Sequence, residues 1–344
     1  MKVGVLIPTF NRKQFLSLAL ESVLDQLHRE LEIIVIDNGS TDGTAELMAG
    51  INDPRVRYVV NDQNLGMAGS INKGIALFSN EAEWCTILGD DDILDKDCIM
   101  NLVKAVRVAE AKSVVHSHRT FIDAHGGIIR EAQPSPREES ALDYLDMRSR
   151  ARRETYLTGV LFNRTMFRRI GGYPLFSTGV GSDDAFIFAL SLQDRLVFEQ
   201  NANSFIRIHN EAESKARTDS IKKLHTVSEF YEYCRRIADK NASYTPEQHR
   251  SFVRILERYR RNLNSYWWRS AIHAALDLHD ENASVELALL RSYVNDNRRV
   301  FSLRIRLNVF IENTFKINPE SCKIYRVAGI MIDYLIFLLR NRLP

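Results

Sequence analysis

The sequence has few cysteines and no long apolar run, and these absences exclude several classes of protein. The four cysteines are scattered over 344 residues without a CxxC pair, which argues against a zinc ribbon and a disulfide-stapled secreted fold. The apolar run at the N-terminus turns polar too soon for a signal peptide. The other apolar segment, 327–339, is too short to cross a membrane, because a spanning helix needs about twenty residues. We therefore expect a protein of the reducing cytoplasm.

The sequence also lacks an excess of one charge and the common nucleotide and hydrolase motifs. Lysine and arginine, 46 residues together, nearly balance the 44 aspartates and glutamates, so we expect no nucleic-acid partner. There is no GxxxxGK(S/T) loop, GxSxG elbow, HExxH pair or GxGxxG loop. These absences argue against P-loop, serine-hydrolase, zinc-hydrolase and dinucleotide-binding proteins.

Strand-like and helix-like segments alternate over the first part of the chain. The continuous apolar run at 3–7 is typical of a strand buried on both faces of a parallel sheet. The largely apolar segments 31–36, 56–60 and 84–88 predict three further strands. Segments with helical spacing of apolar residues separate these runs. The alternation predicts an α/β fold with a doubly wound sheet and right-handed crossovers.

Polar clusters follow three of these predicted strands. They occupy residues 8–12, 37–44 and 89–92. In a doubly wound sheet, ligands bind outside the carboxyl ends of the strands. We therefore expect the three clusters to form one site.

Asp90, Asp91 and Asp92 stand in a row directly after the fourth predicted strand. Three like charges at such a position repel strongly unless a cation neutralises them. Carboxylate oxygens suit Mg²⁺ or Mn²⁺, and a metal held by one or two carboxylates keeps positions open for substrate phosphates. The alternative interpretation is a solvated acidic turn that caps the next helix.

Three further polar positions allow both a functional and a structural interpretation. Asp37 either closes an Asx-turn or accepts a hydrogen bond from the N–H edge of a nucleobase. Asp183 and Asp184 stand at the start of a predicted helix. They either stabilise its positive N-terminal end or take a proton from an incoming hydroxyl. His209 is a metal ligand, a phosphate contact or a structural histidine.

The chain resembles the family 2 glycosyltransferases over about residues 1 to 215, because several motifs of that family occur here in the family's order. The matching segments are Ile7-Pro-Thr-Phe-Asn-Arg12, Val35-Ile-Asp-Asn-Gly-Ser-Thr-Asp-Gly-Thr44, Asn64-x-Gly66 to Asn72-x-Gly74, Gly89-Asp-Asp-Asp-Ile-Leu94, Gly159, Gly171-Gly-Tyr-Pro174 and Ser182-Asp-Asp184. Two positions depart from the family pattern. Gly89 replaces a common aspartate, and Asp183 replaces the more usual glutamate.

The resemblance implies the GT-A fold, a Rossmann-like doubly wound mixed sheet, and an inverting reaction with a nucleotide-sugar donor. It implies that Asp183 or Asp184 is the general base. It also implies a metal cofactor, Mn²⁺ or Mg²⁺, held by Asp90, Asp92 and His209. The residues that the resemblance places at the donor nucleotide are Pro8, Thr9, Asn11, Arg12, Asp37, Asn64, Gly66, Met67, Asp90 and Asp91.

The implied activity is transfer of a sugar from a UDP- or dTDP-sugar to a hydroxyl group of a glycan or lipid-linked acceptor. A role in bacterial surface polysaccharide synthesis, of the O-antigen or capsule type, would fit it. A nucleotidyltransferase should carry a glycine-rich basic loop where Pro-Thr-Phe-Asn-Arg stands. The remaining alternative, an inactive nucleotide-sugar-binding or scaffold protein, should have lost one carboxylate cluster, and both are intact.

Glycine nearly disappears towards the C-terminus, and helical spacing of apolar residues dominates there. This change predicts a catalytic domain over residues 1–215 and a helical region over 216–344. The last predicted helix, 324–339, is apolar and flanked by basic residues, as in helices that lie on anionic membranes. Peripheral contact with the inner face of the plasma membrane, a homo-oligomer interface and burial against the catalytic domain are the roles that this pattern leaves open.

Overall fold

The computed structural model of the protein describes residues 1–209, 220–240, 244–276 and 292–293. The strands are β1 (Val3–Thr9), β2 (Leu31–Asp37), β3 (Val56–Val60), β4 (Trp84–Ile87), β5 (Ile93–Leu94), β6 (Val114–Ile122), β7 (Ile128–Glu131), β8 (Glu138–Glu139), β9 (Val160–Asn163) and β10 (Leu196–Arg207). The helices are α1 (Lys13–Leu24), α2 (Thr44–Ala49), α3 (Gly66–Leu77), α4 (Cys98–Val108), α5 (Ala141–Ser149), α6 (Arg164–Arg169), α7 (Ser182–Ser191), α8 (Ser220–Asp239) and α9 (Pro246–Leu276).

A mixed sheet joins these strands in the order β3-β2-β1-β4-β9-β6-β10-β5. The strands β1, β2, β3 and β4 run parallel to one another, as the alternation of apolar runs and helices predicts. β9 lies antiparallel between β4 and β6, which makes the sheet mixed. The expected α/β class with a doubly wound mixed sheet is confirmed.

Helices cover both faces of the sheet and create two apolar cores. One core joins the sheet to α1, α2 and α4, and the other joins it to α3, α5, α6, α7, α8 and α9. Every residue of β1 is buried. A continuous apolar sequence is therefore required in this strand because neither face meets water.

Sequence periodicity describes the second half of the sheet less well. The strand β6 is continuous from Val114 to Ile122, although polar residues in its middle interrupt the apolar pattern. The twelve-residue strand β10 was not predicted, because polar residues interrupt its apolar pattern where the pairing register shifts between Glu199 and Asn203. A β-bulge removes the strict alternation on which strand prediction depends.

The helices α8 and α9 share a core with the sheet domain. Phe252 of α9 stacks on Phe188 of α7, with ring centroids 5.7 Å apart. Arg258 of α9 donates a hydrogen bond to Ser149 of α5 at 2.8 Å. The predicted boundary between residues 215 and 216, and the predicted helix 324–339, lie outside the described residues. The division into two domains stays a prediction.

No helix among the residues described above is long and apolar enough to cross a membrane.

Replacing Phe252 with alanine should lower the free energy of unfolding by about 3 to 5 kcal/mol, because the side chain is fully buried in the shared core. The control is Val253→Ala on the same helix, which is partly exposed and should change stability by less than about 0.5 kcal/mol. Calorimetry should show one cooperative transition that Phe252→Ala shifts as a whole. Two transitions, with only the smaller one shifted, would contradict a shared core.

Candidate active site

The loops after β1 and β4 are joined at the carboxyl edge of the sheet. Thr9 donates a hydrogen bond from its hydroxyl to Asp90 at 2.8 Å. The Arg12 guanidinium donates to Asp90 at 3.1 Å and to Asp91 at 3.0 Å. The polar clusters 8–12 and 89–92 therefore meet, as the positions of the strand ends predict.

The loop after β2 is fastened to the loop after β1. Asn11 has a left-handed backbone (φ 53°), and its side-chain oxygen accepts a hydrogen bond from the amide of Thr41 at 2.7 Å. The amide of Asn11 donates to the Ser40 hydroxyl at 2.8 Å. Cluster 37–44 therefore joins the same edge. The buried Pro8 holds the start of the loop within the sheet, in register with Ile36.

Asp37 is almost completely buried and braces this second loop. One carboxylate oxygen accepts hydrogen bonds from the amide and hydroxyl of Ser40, at 2.8 and 2.7 Å. The other accepts from the Tyr58 hydroxyl at 2.5 Å. These contacts correspond to the Asx-turn interpretation. Contact between Asp37 and a nucleobase stays a prediction.

The loop before α3 depends on Asn38, a residue that sequence reasoning missed. Its side-chain oxygen accepts hydrogen bonds from Asn61 at 2.9 Å, from the Ser70 hydroxyl at 2.7 Å and from the Leu65 amide at 3.2 Å. The segment of Asn64, Gly66 and Met67 follows this anchor at the exposed start of α3, where the Asn64 side chain accepts from the Gly66 amide at 2.8 Å.

The three aspartates after β4 have different surroundings. Asp90 and Asp92 are buried, whereas the Asp91 side chain is 16% exposed. Asp92 accepts hydrogen bonds from the Thr158 hydroxyl at 2.5 Å and from the Arg207 amide at 2.9 Å. Sequence reasoning missed Thr158 because it lies far along the chain, before β9.

Burial makes this acidic row electrostatically unfavourable. Loss of water around the carboxyl group raises the pKa of Asp90 to about 6, and the negative charge of Asp91 adds to the effect against the opposing charge of Arg12. Burial followed by the charge of Asp91 raises the pKa of Asp92 to about 7. A site that disfavours its own charges in this way is suited to a cation.

His209 faces Asp91. Its Nε2 lies 3.0 Å from a carboxylate oxygen of Asp91, and its ring packs on Phe15 with centroids 4.6 Å apart. Its Nδ1 is buried, and no group of the residues that the structure describes forms a hydrogen bond with it. The structure thus places His209 against Asp91. Asp90 and Asp92 are buried next to Asp91 in the chain. The predicted ligand set of Asp90, Asp92 and His209 is not tested by this arrangement and stays a prediction.

Asp91 and His209 can bind a divalent cation if oxygens of the substrate complete its coordination. Within the described ranges, no group of three or more histidine, cysteine, aspartate or glutamate side chains is arranged to hold a metal. Carboxylate and imidazole groups are ligands for Mn²⁺, and Mg²⁺ in enzymes commonly takes one or two carboxylates plus phosphate oxygens and water. An oxygen from Asp91 and a nitrogen from His209 match that pattern.

Space for a side chain at residue 89 is restricted by the neighbouring carboxylates. A Cβ atom there would approach carboxylate oxygens of Asp91 and Asp92 to 3.0 Å. A side chain at residue 89 would therefore force these carboxylates to move.

Asp184 is a buried structural carboxylate. It accepts hydrogen bonds from Arg148 at 2.5 and 3.0 Å, from the Tyr259 hydroxyl at 2.7 Å and from the Tyr144 hydroxyl at 3.1 Å. Burial by itself raises the pKa of Asp184, but the charge and hydrogen bonds of Arg148 outweigh burial and hold this pKa below the usual value of an aspartate. The three partners come from α5 and α9, and no local sequence signal connects them to residue 184.

Asp183 lies in the first turn of α7 and is partly exposed. One of its carboxylate oxygens accepts a hydrogen bond from the Tyr173 hydroxyl at 2.6 Å. Tyr173 belongs to the Gly-Gly-Tyr-Pro segment, which was singled out in the sequence without a role for its hydroxyl. The two candidate bases therefore differ in burial, because Asp184 is buried in its hydrogen-bond network and Asp183 is partly exposed.

Residues 4–171 match the profile of the family described as glycosyl transferase family 2. An uncharacterized glycosyltransferase of Nostoc sp. is 24% identical over 213 residues, which cover 61% of this chain and 65% of that protein. The Campylobacter jejuni GalNAc(5)-diNAcBac-PP-undecaprenol beta-1,3-glucosyltransferase is 35% identical over 105 residues, covering 30% of this chain and 34% of the relative. The matches thus span less than two thirds of the length of these relatives.

Two solved structures resemble the fold. Staphylococcus aureus TarS in complex with UDP-GlcNAc gives a TM-score of 0.55 at 14% identity, covering 87% of this chain and 90% of that chain. A mannosyltransferase from Pyrobaculum calidifontis in complex with GDP-Man and Mn²⁺ gives 0.51 at 16% identity, covering 92% and 88%. The chain has the GT-A fold that the motifs imply.

Replacing Asp184 with asparagine should lower the free energy of unfolding by about 3 to 5 kcal/mol, because it leaves the Arg148 guanidinium without its buried partner. The matched control, Asp183→Asn, should change stability by less than about 1 kcal/mol. Urea titrations of both variants provide the measurement. Because the folded pKa of Asp184 is lowered, its stabilisation is present above about pH 4 and is lost on acidification. Equal stability of the two variants would contradict the structural role of Asp184.

Proposed function

We propose that the protein is a glycosyltransferase that moves a sugar from a nucleotide-diphosphate sugar to an acceptor hydroxyl, because residues 4–171 match the profile of glycosyl transferase family 2. The observation that carries the proposal is the joining of the strand-end loops around Asp90, Asp91 and Asp92 by Thr9 and Arg12. That edge combines acidic groups for a cation with donors for the oxygens of a diphosphate.

The donor nucleotide would bind in the loops after β1 and β2 and at the start of α3. Pro8, Thr9, Asn11 and Arg12 form the first of these loops, and the exposed segment of Asn64, Gly66 and Met67 lies beside the second. Arg12 already contacts Asp90 and Asp91, so it is positioned to compensate negative charge at this edge. Asp37 would act on the base through the loop that it braces or by direct contact.

The family resemblance implies Asp90, Asp92 and His209 as ligands of the cation, Mn²⁺ or Mg²⁺. We propose that Asp91 takes part as well, because its carboxylate lies 3.0 Å from His209, and that Asp90 and Asp92 add negative charge at the same loop. When bound, such a cation stabilises the charge that develops on the departing diphosphate. Thr158 and the amide of Arg207 keep Asp92 in place, and Arg207 also donates to the backbone oxygen of Asp91 at 2.8 Å. The protein's own contribution is therefore to hold the acidic loop rigid before substrate arrives.

Asp183 is the proposed general base. The carboxylate would remove the proton of an acceptor hydroxyl as the hydroxyl oxygen attacks the anomeric carbon, and the bond to the nucleoside diphosphate breaks with inversion. Asp184 is unsuited to this role because Arg148 and Tyr259 occupy its oxygens inside the protein. Asp183 lies in the first turn of α7 and is partly exposed, so an acceptor hydroxyl can reach it from outside the protein.

The substrate class is proposed from chemistry shared with the similar proteins. TarS is described with UDP-GlcNAc and the Pyrobaculum enzyme with GDP-Man, which supports a hexose or N-acetylhexosamine as the transferred sugar. The UDP or dTDP carrier that we propose rests on the family resemblance. The Campylobacter relative is named for a PP-undecaprenol acceptor. We therefore propose a glycan or lipid-linked acceptor and a role in bacterial surface polysaccharide synthesis. An inactive nucleotide-sugar-binding or scaffold protein is the alternative.

Nucleoside diphosphate release from a panel of UDP-, dTDP- and GDP-sugars should identify a donor, in the presence of Mn²⁺ or Mg²⁺ and not of EDTA. Asp183→Asn should lower transfer by about 10²- to 10⁴-fold while donor binding persists, because only proton removal is lost. Asp91→Asn should weaken donor binding as well. The control is Asp239→Asn, whose weak surface pair with Arg235 spans 3.9 Å and contributes little.

Two outcomes would contradict the proposed function. Absence of release with every donor, together with no rise in melting temperature on adding them, would support the inactive alternative. Full activity of Asp183→Asn would remove Asp183 as the base and leave the enzyme class intact.

A peripheral membrane location is proposed from the basic residues around the predicted helix 324–339, which lies outside the described residues. The full-length protein should float with anionic liposomes and lose this behaviour at high salt, because such contacts are electrostatic. The comparison variant replaces the flanking basic residues with glutamine, at Lys323, Arg326, Arg340 and Arg342. Equal flotation of both proteins would show that these basic residues do not bind the membrane.

A further inference from the structure

We propose that Tyr173 and Asn72 are positioning residues. They fix the position of the general base, Asp183, relative to helix α3 at the proposed donor site. The inference rests on the proposed function, because it assigns a role to groups behind Asp183. It adds two side chains that never touch substrate and that link the donor and acceptor sides of the site.

Tyr173 holds the carboxylate of Asp183. Its hydroxyl donates to Asp183 across 2.6 Å, and only 4% of the residue is exposed. The ring packs on Phe186 with centroids 5.3 Å apart. Because the ring is confined in the apolar core, the hydroxyl has a defined position, and it restrains rotation of the carboxylate that accepts from it.

Asn72 in turn holds the backbone of Tyr173 with both ends of its amide. The side-chain oxygen accepts from the Tyr173 amide at 2.9 Å, and the side-chain nitrogen donates to the Tyr173 carbonyl at 2.9 Å. The same nitrogen donates to the carbonyl of Ala68 at 3.0 Å, which ties the clamp to α3. Two hydrogen bonds to one residue determine its orientation as well as its position.

Gly172 makes this clamp sterically possible. Its φ is +87°, and a Cβ atom at this position would lie 2.4 Å from the side-chain oxygen of Asn72. A side chain at residue 172 would therefore displace Asn72 and open the clamp. The Gly-Gly-Tyr sequence has a structural purpose here that reaches across 101 residues to α3.

Residues of α3 next to Asn72 fasten the helix to the loops after β2 and β3. Lys73, the neighbour of Asn72, donates to the side chain of Asn61 at 2.7 Å. Ser70 donates to Asn38 at 2.7 Å, which also anchors the amide of Leu65 at the start of the helix. A continuous set of hydrogen bonds thus runs from the loop after β2 through α3 and Tyr173 to Asp183.

This arrangement matters because displacement transfer requires the base, the acceptor hydroxyl and the anomeric carbon in one geometry. Small misplacement of a reacting group lowers rates steeply even when binding is retained. Loss of the Tyr173 hydroxyl should therefore lower kcat and leave the KM for donor nearly unchanged. A merely structural role would instead lower the melting temperature and leave the kcat of the folded protein unchanged.

The test compares Tyr173→Phe with Tyr231→Phe in the full-length protein. Tyr231→Phe is the matched control, because it removes a tyrosine-carboxylate hydrogen bond of 2.8 Å to Glu257 between α8 and α9. With the donor identified by nucleotide release, Tyr173→Phe should lower kcat about tenfold or more, with the donor KM within about twofold. Tyr231→Phe should keep the wild-type kcat.

A double-mutant cycle shows whether Tyr173 acts through Asp183. In an Asp183→Asn background, Tyr173→Phe should lower the residual rate by less than about twofold, because the group that it positions is already lost. Asn72→Ala should lower kcat in the wild type and have little further effect beside Tyr173→Phe. Catalysis by Tyr173→Phe at the wild-type rate, or a full additional loss in the Asp183→Asn background, would overturn the inference. A wild-type protein that neither binds nor turns over any donor would overturn the proposed function itself, and the inference with it.

Discussion

The repulsion among three neighbouring carboxylates at the end of β4 is the constraint around which the site is arranged. Asp90 and Asp92 are buried, and their pKa values are raised to about 6 and about 7. Such a cluster destabilises the folded chain in the absence of a cation, because buried charge is costly in a medium of low dielectric constant. Proteins retain costly charges of this kind mainly where they are used.

The surrounding elements of the sheet all contribute to holding this acidic row. The loop after β1 supplies Thr9 and Arg12, the segment before β9 supplies Thr158, and the end of β10 supplies the amide of Arg207. Because these groups come from strands that lie side by side, the sheet order determines which hydrogen bonds the aspartates receive. The mixed topology, with β9 and β10 inserted beside the parallel strands, is thus part of the site's electrostatics.

The adjacent aspartates at the start of α7 have different roles, because their side chains point in different directions. Successive residues of a helix point in directions about 100° apart. Asp184 consequently enters the core and binds α5 and α9, whereas Asp183 remains at the surface with Tyr173. The helices α8 and α9 therefore do more than extend the chain, because Tyr259 completes the surroundings of Asp184. In this way the C-terminal helices are coupled to the end of the helix that carries the proposed base.

The sequence alone determined the α/β class, the parallel strands β1 to β4 and the meeting of the polar clusters at one edge. These follow from continuous apolar runs and from the rule that ligands meet the carboxyl ends of strands. The strand β10, the pairing of Asp91 with His209 and the difference between Asp183 and Asp184 were decided only by the tertiary structure. Each depends on partners far apart in the chain, such as Thr158 for Asp92, Tyr259 for Asp184 and Asn72 for Tyr173. Local periodicity carries no information about such contacts, because distant residues become neighbours only when the sheet and its helices assemble.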